Sequence, residues 1–339
     1  MRLLALAICA LAGLPAPVAA QDCPALSEGS NWYTLGTSGG PQVRAQRSQI
    51  ANALVTRSGI YLFDVGNGVQ TQMARAGLEE QAIRAIFLSH HHLDHVADLG
   101  PLLWTRWTFG GGPLTVVGPV GTRTLVENLI RAGEPIMLAG YPAGGPPKPD
   151  LSELVRIVEL PADPRALTKA FSDDRIAVEA IAVDHYQSRP SIPLDTMPDA
   201  VAYRVNVDGR TVVYTGDSGP SKQLEIIAKD ANLLVSELVS LPAITAVLQR
   251  QLARAPAAMR DGIVAGMAIN HLAPETIGRL ANGASVDRLV LTHFVPAPED
   301  GLDVRAVKQA IALDYRGPVD AADDLDVFPV ASCRSGLKD

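Results

Sequence analysis

The stretch FLSHHHLDHVADLG, residues 87–100, holds four of the chain's seven histidines within six positions, with an aspartate among them. Neutral imidazoles and carboxylates are good zinc ligands. A catalytic site needs several of them at about 2.0–2.2 Å, with one position left open for water. Three consecutive histidines, His90, His91 and His92, do not all converge, because on an extended segment only residues i and i+2 share a face. His90 and His92 therefore point together, while the other register pairs His91 with Leu93, which has no donor. Where the chain turns into a helix after Leu93, Asp94 and His95 swing toward the same pocket from its other side. The pattern reads His90-x-His92-x-Asp94-His95, with His91 facing away.

HxHxDH after a strand, followed in order by His185, Asp217 in VVYTGDSG and His293 in LVLTHF, resembles the signature of the metallo-β-lactamase fold superfamily. The resemblance runs from LGTSGGP (35–41) to about residue 298. It implies an α/β fold, an αββα four-layer sandwich, with two zinc ions at one edge of the two sheets. Iron or manganese could occupy the same ligands. One zinc is then expected on His90, His92 and His185, and the second on Asp94, His95 and His293, with Asp217 bridging both. Asp64 in LFDVGNG matches a structural aspartate that buttresses the ligand loop, in keeping with the need of histidine ligands for orienting partners. The implied reaction is hydrolysis by a hydroxide shared between the metals, which needs no serine or cysteine nucleophile.

Three further features resemble the ribonuclease Z and arylsulfatase-type branch of that superfamily. They are the glycine loop LGTSGGP, Glu237 in NLLVSELVS, and His271 in NHLAPETIGRLA. Glu237 stands as the glutamate of a HEAT motif, although Ser236 replaces its histidine. His271 opens a helix as the histidine of an HST motif does. The implied catalytic set is Asp94, His271 and Glu237: His271 steadies developing charge or protonates a leaving oxygen, and Glu237 fixes its tautomer.

The formal charge of −7, and a Pro/Gly-rich segment 134–150 whose sole cation is Lys148, offer no basic arm for a polyphosphate backbone. The expected partner is thus a small anionic ester (a phosphodiester, cyclic nucleotide or aryl sulfate), with no nucleic-acid polymer. Two other readings stay open, a lactonase or β-lactamase-like hydrolase and a non-catalytic exported binding protein. In the superfamily an aspartate at Asp217 speaks against an ordinary β-lactamase.

The elements that must position these residues alternate between strand and helix. Strand runs are expected at 51–66, with a turn at Ser58-Gly59, and at 83–90, 114–119, 154–160, 175–185, 233–238 and 286–294. Asp208-Gly209 marks a tight hairpin between two β-rich runs. Helices are expected after residue 120, over 243–267 with a break near Pro256, and over 304–313. Segment 134–150 reads as a loop or flap, and 104–112, 134–150 and 186–199 as the rim of the site.

At the N-terminus, Arg2, an apolar run over 3–14 and Val18-Ala19-Ala20 are laid out as a signal peptide cleaved after Ala20. That implies a periplasmic or secreted protein with no stable membrane anchor. It would have a tail at 21–30, a single domain over 31–330 and a tail at 331–339. Cleavage removes Cys9 and leaves Cys23 and Cys333 as a candidate disulfide, or as two unpaired thiols. Relatives in this branch are often dimers, so a homodimer is possible.

Overall fold

The computed structural model describes residues 29–140, 148–186 and 199–330. The signal peptide, the Cys23–Cys333 pair and residues 141–147 and 187–198 of the expected rim lie outside them. The strands are β1 (Asn31–Gly36), β2 (Ala51–Thr56), β3 (Gly59–Val65), β4 (Ile83–Phe87), β5 (Leu114–Gly118), β6 (Val155–Glu159) and β7 (Thr168–Ser172). They continue with β8 (Ile176–Val183), β9 (Ala200–Val207), β10 (Arg210–Tyr214), β11 (Leu233–Val239), β12 (Leu289–Val295), β13 (Val319–Ala321) and β14 (Asp326–Pro329). The helices are α1 (Val69–Arg75), α2 (Leu93–Val96), α3 (Leu99–Thr108), α4 (Thr122–Ala132), α5 (Glu134–Ala139) and α6 (Leu151–Leu154). Then come α7 (Lys222–Ala228), α8 (Leu241–Gln251), α9 (Ala257–Asn270), α10 (Pro274–Gly283) and α11 (Val304–Ile311).

One sheet runs β14-β1-β2-β3-β4-β5-β6 and the other β13-β12-β11-β10-β9-β8-β7. Both mix antiparallel and parallel pairs. The run β3 to β6 is parallel in the first sheet, and β10 to β13 in the second. Period-2 alternation divides the strands' apolar residues between two faces. In β3, Tyr61 and Phe63 enter the space between the sheets, while Ile60 and Leu62 pack under the first helical layer. In β9, Val201, Tyr203 and Val205 face inward, while Ala200 and Ala202 face the second helical layer. Strands buried on both faces read as near-continuous apolar runs, which is why the sequence shows them clearly.

Between the sheets, Phe63 stacks on Phe87 with centroids 4.8 Å apart, and Phe87 meets the Tyr203 ring edge-on at 5.4 Å. Outside the first sheet, Val69 and Met73 of α1, Leu102 of α3 and Val126 of α4 are buried. Outside the second lie Leu224 and Ile227 of α7, Ile277 of α10 and Val307 of α11. The layers are αββα, as expected.

The details differ from the sequence reading in four places. The strand expected to reach His90 stops at Phe87, and residues 88–92 continue as extended backbone without ladder partners of their own. Segment 134–150 begins as α5, where Pro135 takes a first-turn position whose missing N–H costs nothing. The strands β7, β13 and β14 were not anticipated; β14 is short and pairs with β1 only through chain reversal. His271 does not open a helix: it ends α9 in extended conformation, three residues before α10.

Phe63→Ala is expected to lower the unfolding free energy of the metal-free chain by about 3–5 kcal/mol, the cost of emptying a buried aromatic site. Leu138→Ala, at a position 87% exposed, should stay within about 0.5 kcal/mol. Urea denaturation followed by circular dichroism checks both.

Candidate metal centre

The ligand segment leaves β4 still tied to its neighbour, with the Leu88 N–H donating to the Val117 carbonyl at 2.8 Å. The second sheet then holds it from the other side. The Tyr203 hydroxyl donates to the Leu88 carbonyl (2.7 Å), and the Val201 N–H donates to the Ser89 carbonyl (2.9 Å). Held this way, His90 and His92 converge, with Nε2 and Nδ1 3.0 Å apart. Asp94 and His95, both buried, occupy the single turn α2. His91 points elsewhere and shares a hydrogen bond with Thr122 Oγ1 at the start of α4.

Asp64 is fully buried and saturated. Its carboxylate accepts from the Ser89 N–H (2.7 Å), the Ser89 hydroxyl (2.7 Å), His95 Nδ1 (2.7 Å) and the Tyr214 hydroxyl (2.6 Å). It is the extra residue in the β2–β3 register shift and has φ 58°, a conformation that aspartate tolerates better than most. The donation from His95 leaves Nε2 as the ring nitrogen turned to the centre. The Ser89 hydroxyl, already spent on Asp64, accepts from His90 Nδ1 at 3.0 Å and likewise leaves His90 Nε2 bare. His185 Nδ1 donates to the Asn270 carbonyl (2.9 Å), which bares His185 Nε2 as well.

Two lone-pair nitrogens, His90 Nε2 and His185 Nε2, therefore face His92 Nδ1, which lies 3.0 and 3.1 Å from them. A few ångströms away, His95 Nε2 and His293 Nε2 stand 3.3 Å apart, with Asp94 Oδ2 3.7 and 3.4 Å from them. Asp217, on the loop after β10, lies between the two groups. Its Oδ2 is 3.8 Å from both His90 Nε2 and His185 Nε2, and its Oδ1 is 3.4 Å from His95 Nε2 and 3.2 Å from His293 Nε2. Oδ1 is buried and accepts no hydrogen bond. A single His92 N–H cannot fully satisfy both lone pairs, and Asp217 Oδ1 stays bare and buried, which is unfavourable for the chain alone. Cations resolve both, so the donor set fits divalent metals.

The electrostatics agree. Burial works against the charge on Asp217, but His293, His95 and His90 outweigh it and hold the carboxylate well below its ordinary range. Asp94 is likewise held below its ordinary range, by His95 and His293. Burial keeps His90 neutral and lowers His185 to about 3. Burial also opposes charge on His95, yet Asp217, Asp64 and Asp94 raise it, so that in the chain alone a proton sits where the carboxylates call for a cation.

His293 occupies a bulge. Ser236 and Leu238 of β11 pair with Leu291 and Phe294 of β12, which sets Thr292 and His293 against Glu237, and His293 has φ 46°. Gly39 of the LGTSGGP loop packs on that ring, where a Cβ would meet His293 Nδ1 at 2.6 Å. The Gly40 N–H donates to Asp94 Oδ2 (2.8 Å). The loop thus seats two members of the second ligand group. Gly216 has a matching role before Asp217: at φ 56°, a Cβ there would lie 2.6 Å from that of Ser89.

Next to the ligands, His271 Nδ1 donates to Glu237 Oε2 at 2.6 Å, and Glu237 Oε1 accepts from the Ser218 N–H at 2.6 Å. Burial lowers the imidazolium's stability, but the Glu237 charge and hydrogen bond, with Asp217, raise His271 to about 9. Of the three predicted catalytic residues, Glu237 and His271 are therefore in contact, while Asp94 sits with His95 and His293. Of the expected rim, 104–112 belongs instead to the outer helical layer through α3, while Tyr186 lines the cavity beside the ligands. Among the described residues, a cavity of about 470 Å³ opens onto His92, His185, Tyr186 and His271, and its far wall is α9. Sequence reasoning also passed over the Asn270 carbonyl and the Gly40 and Ser218 N–H groups. These are backbone atoms and leave no signature in residue type.

Residues 60–294 match the family model described as a beta-lactamase superfamily domain. A ribonuclease Z of Mycobacterium sp. (strain KMS) is 31% identical over 301 residues, which cover 86% of this chain and 93% of the relative. The chain belongs to the beta-lactamase superfamily, in its ribonuclease Z-like branch. Two solved structures share the fold. The metallo-beta-lactamase fold protein YhfI from Bacillus subtilis has a TM-score of 0.62 at 18% identity, covering 88% of this chain and 98% of its own. Human tRNase Z, short form, has a TM-score of 0.59 at 22% identity, covering 89% and 100%. A superfamily member with this donor set is a metal-dependent hydrolase. The expectation that no nucleic-acid polymer is a partner is overturned by the ribonuclease Z relatives. Net charge was the wrong guide, because it averages over a whole surface while a bound strand meets only part of it.

Asp64→Asn is expected to weaken zinc binding by about 10- to 100-fold, through loss of the orienting acceptor on His95. His91→Ala should bind zinc as the native chain does. Competition titration against a chromogenic chelator distinguishes them, and equal losses in the two variants would deny Asp64 its orienting part.

Proposed function

We propose that this chain is a dinuclear zinc phosphodiesterase whose substrates include ribonucleic acid phosphodiesters. The observation that carries the reading is Asp217, which turns one carboxylate oxygen toward His90 and His185 and the other toward His95 and His293. His90, His92 and His185 hold one metal. Asp94, His95 and His293 hold the other. The metals, when bound, supply Lewis acidity at the phosphoryl oxygens and activate water at neutral pH.

The chain's own residues do the rest. Asp64 and the Asn270 carbonyl fix which ring nitrogens of His95 and His185 face the centre. Glu237 holds the proton on His271 Nδ1, so Nε2 is the nitrogen offered to the cavity that His271 lines. As the bond from phosphorus to the leaving oxygen breaks, His271 Nε2–H gives its proton to that oxygen, and the water-derived oxygen stays on phosphorus. This assigns His271 and Glu237 to leaving-group protonation and Asp94 to the second metal.

The reading also includes export. Arg2, the apolar run over 3–14 and Val18-Ala19-Ala20 support a signal peptide cleaved after Ala20, and 31–330 as the catalytic unit.

A substrate panel with the Asp217→Ala variant tests the reading: a bis-aryl phosphate, an RNA with a 3′ extension, an aryl sulfate, an acyl-lactone and a β-lactam. The two phosphodiesters should be hydrolysed, and Asp217→Ala should lower kcat/KM for them by roughly 10³-fold or more. Turnover confined to the lactone and β-lactam would refute it.

A further inference from the structure

Helix α9 has an unusual sequence for an outer helix. AAMRDGIVAGMAIN carries only two charges, yet none of its residues is buried, and Met259 and Ile269 are 54% and 48% exposed. Ala258, Met259, Gly262, Ile263, Gly266 and Met267 recur at helical spacing on one side, and that side is the far wall of the cavity over the metal ligands. Gly262 sits in the helix interior, where glycine is less favourable than alanine. Packing does not demand it, because a Cβ there would meet nothing within 4 Å. Its effect is to leave a shallow slot facing the site.

Tyr186 also lines the cavity, its ring 5.2 Å from that of His92 and 5.1 Å from that of His185. Apolar walls, thioethers that favour ring contacts, and a bare stretch of helix suit a flat aromatic group better than a charged one. Among the described residues no lysine or arginine lines this cavity.

Resting on the phosphodiesterase reading above, we propose that α9 and Tyr186 form a specificity subsite. The flat aromatic ring carried by the substrate, next to the scissile phosphorus, lies over Gly262 between Met259 and Met267. The ring is a nucleobase when the substrate is RNA and an aryl group when it is a small ester.

The test is calorimetric binding to the zinc-loaded full chain, with methyl phosphate, phenyl phosphate and adenosine 5′-monophosphate as probes. The aromatic monoesters should bind at least about tenfold more tightly than methyl phosphate, in the range of one base–aromatic contact. Gly262→Leu, which fills the slot while favouring the helix, should reduce that preference to about threefold or less, and Gly262→Ala should fall between. A tighter adenosine monophosphate marks the nucleobase as the natural ring, and a tighter phenyl phosphate the aryl ester. Equal binding of all three probes by the native chain, or a preference unchanged in Gly262→Leu, overturns the subsite. Failure of all three phosphates to bind refutes the underlying reading, and the subsite with it.

Discussion

Asp217 is a carboxylate buried where two sheets meet, and it accepts no hydrogen bond at Oδ1. A buried anion left that way is unfavourable unless positive charge is brought to it. Much of the local structure does so. The segment after β4 delivers His90, His92, Asp94 and His95 from the first sheet. The ends of β8 and β12 deliver His185 and His293 from the second. Asp64 extends the arrangement one shell outward: a single carboxylate with four donors ties Ser89 and His95 of the ligand segment to Tyr214 of the second sheet. The two residues that carry most of this geometry in each sheet, Asp64 and His293, both have positive φ at bulges. Two of the non-glycine positive-φ residues thus sit at the metal centre, where the surrounding ladder holds them in place.

The αββα frame explains why such a centre tolerates strain. The aromatic layer of Phe63, Phe87, Tyr203 and Tyr214 fixes the separation of the sheets directly beneath the ligands. Ligands from different sheets therefore meet at distances set by packing rather than by flexible side chains. Seen this way, the hydrolytic chemistry of the superfamily depends on the edge of a sandwich.

Much of the centre was legible from residue types. His90, His92, Asp94 and His95 stand close in sequence, so strand alternation and one helical turn suffice to set them together. His185, Asp217 and His293 were legible only through resemblance, since nothing local says that β8, β10 and β12 end at one edge. The fold's layers could be read because strands buried on both faces make long apolar runs. Short β13 and β14 could not, because strands of three or four residues have no pattern of their own, and β14 pairs with β1 almost the whole chain away. His271 was placed at a helix start by analogy with a motif; the structure ends α9 there because Ala273 and Pro274 begin another helix. The substrate was the weakest inference, resting on an overall charge that says little about one groove.

The central claim is that one carboxylate joins two metal sites. Anomalous diffraction at the zinc edge, from crystals of the zinc-loaded chain, tests it most directly. The account predicts two peaks per chain, one among His90, His92 and His185 and one among Asp94, His95 and His293, with Asp217 between them. A single peak at full zinc loading, or two peaks with Asp217 touching only one, would contradict it.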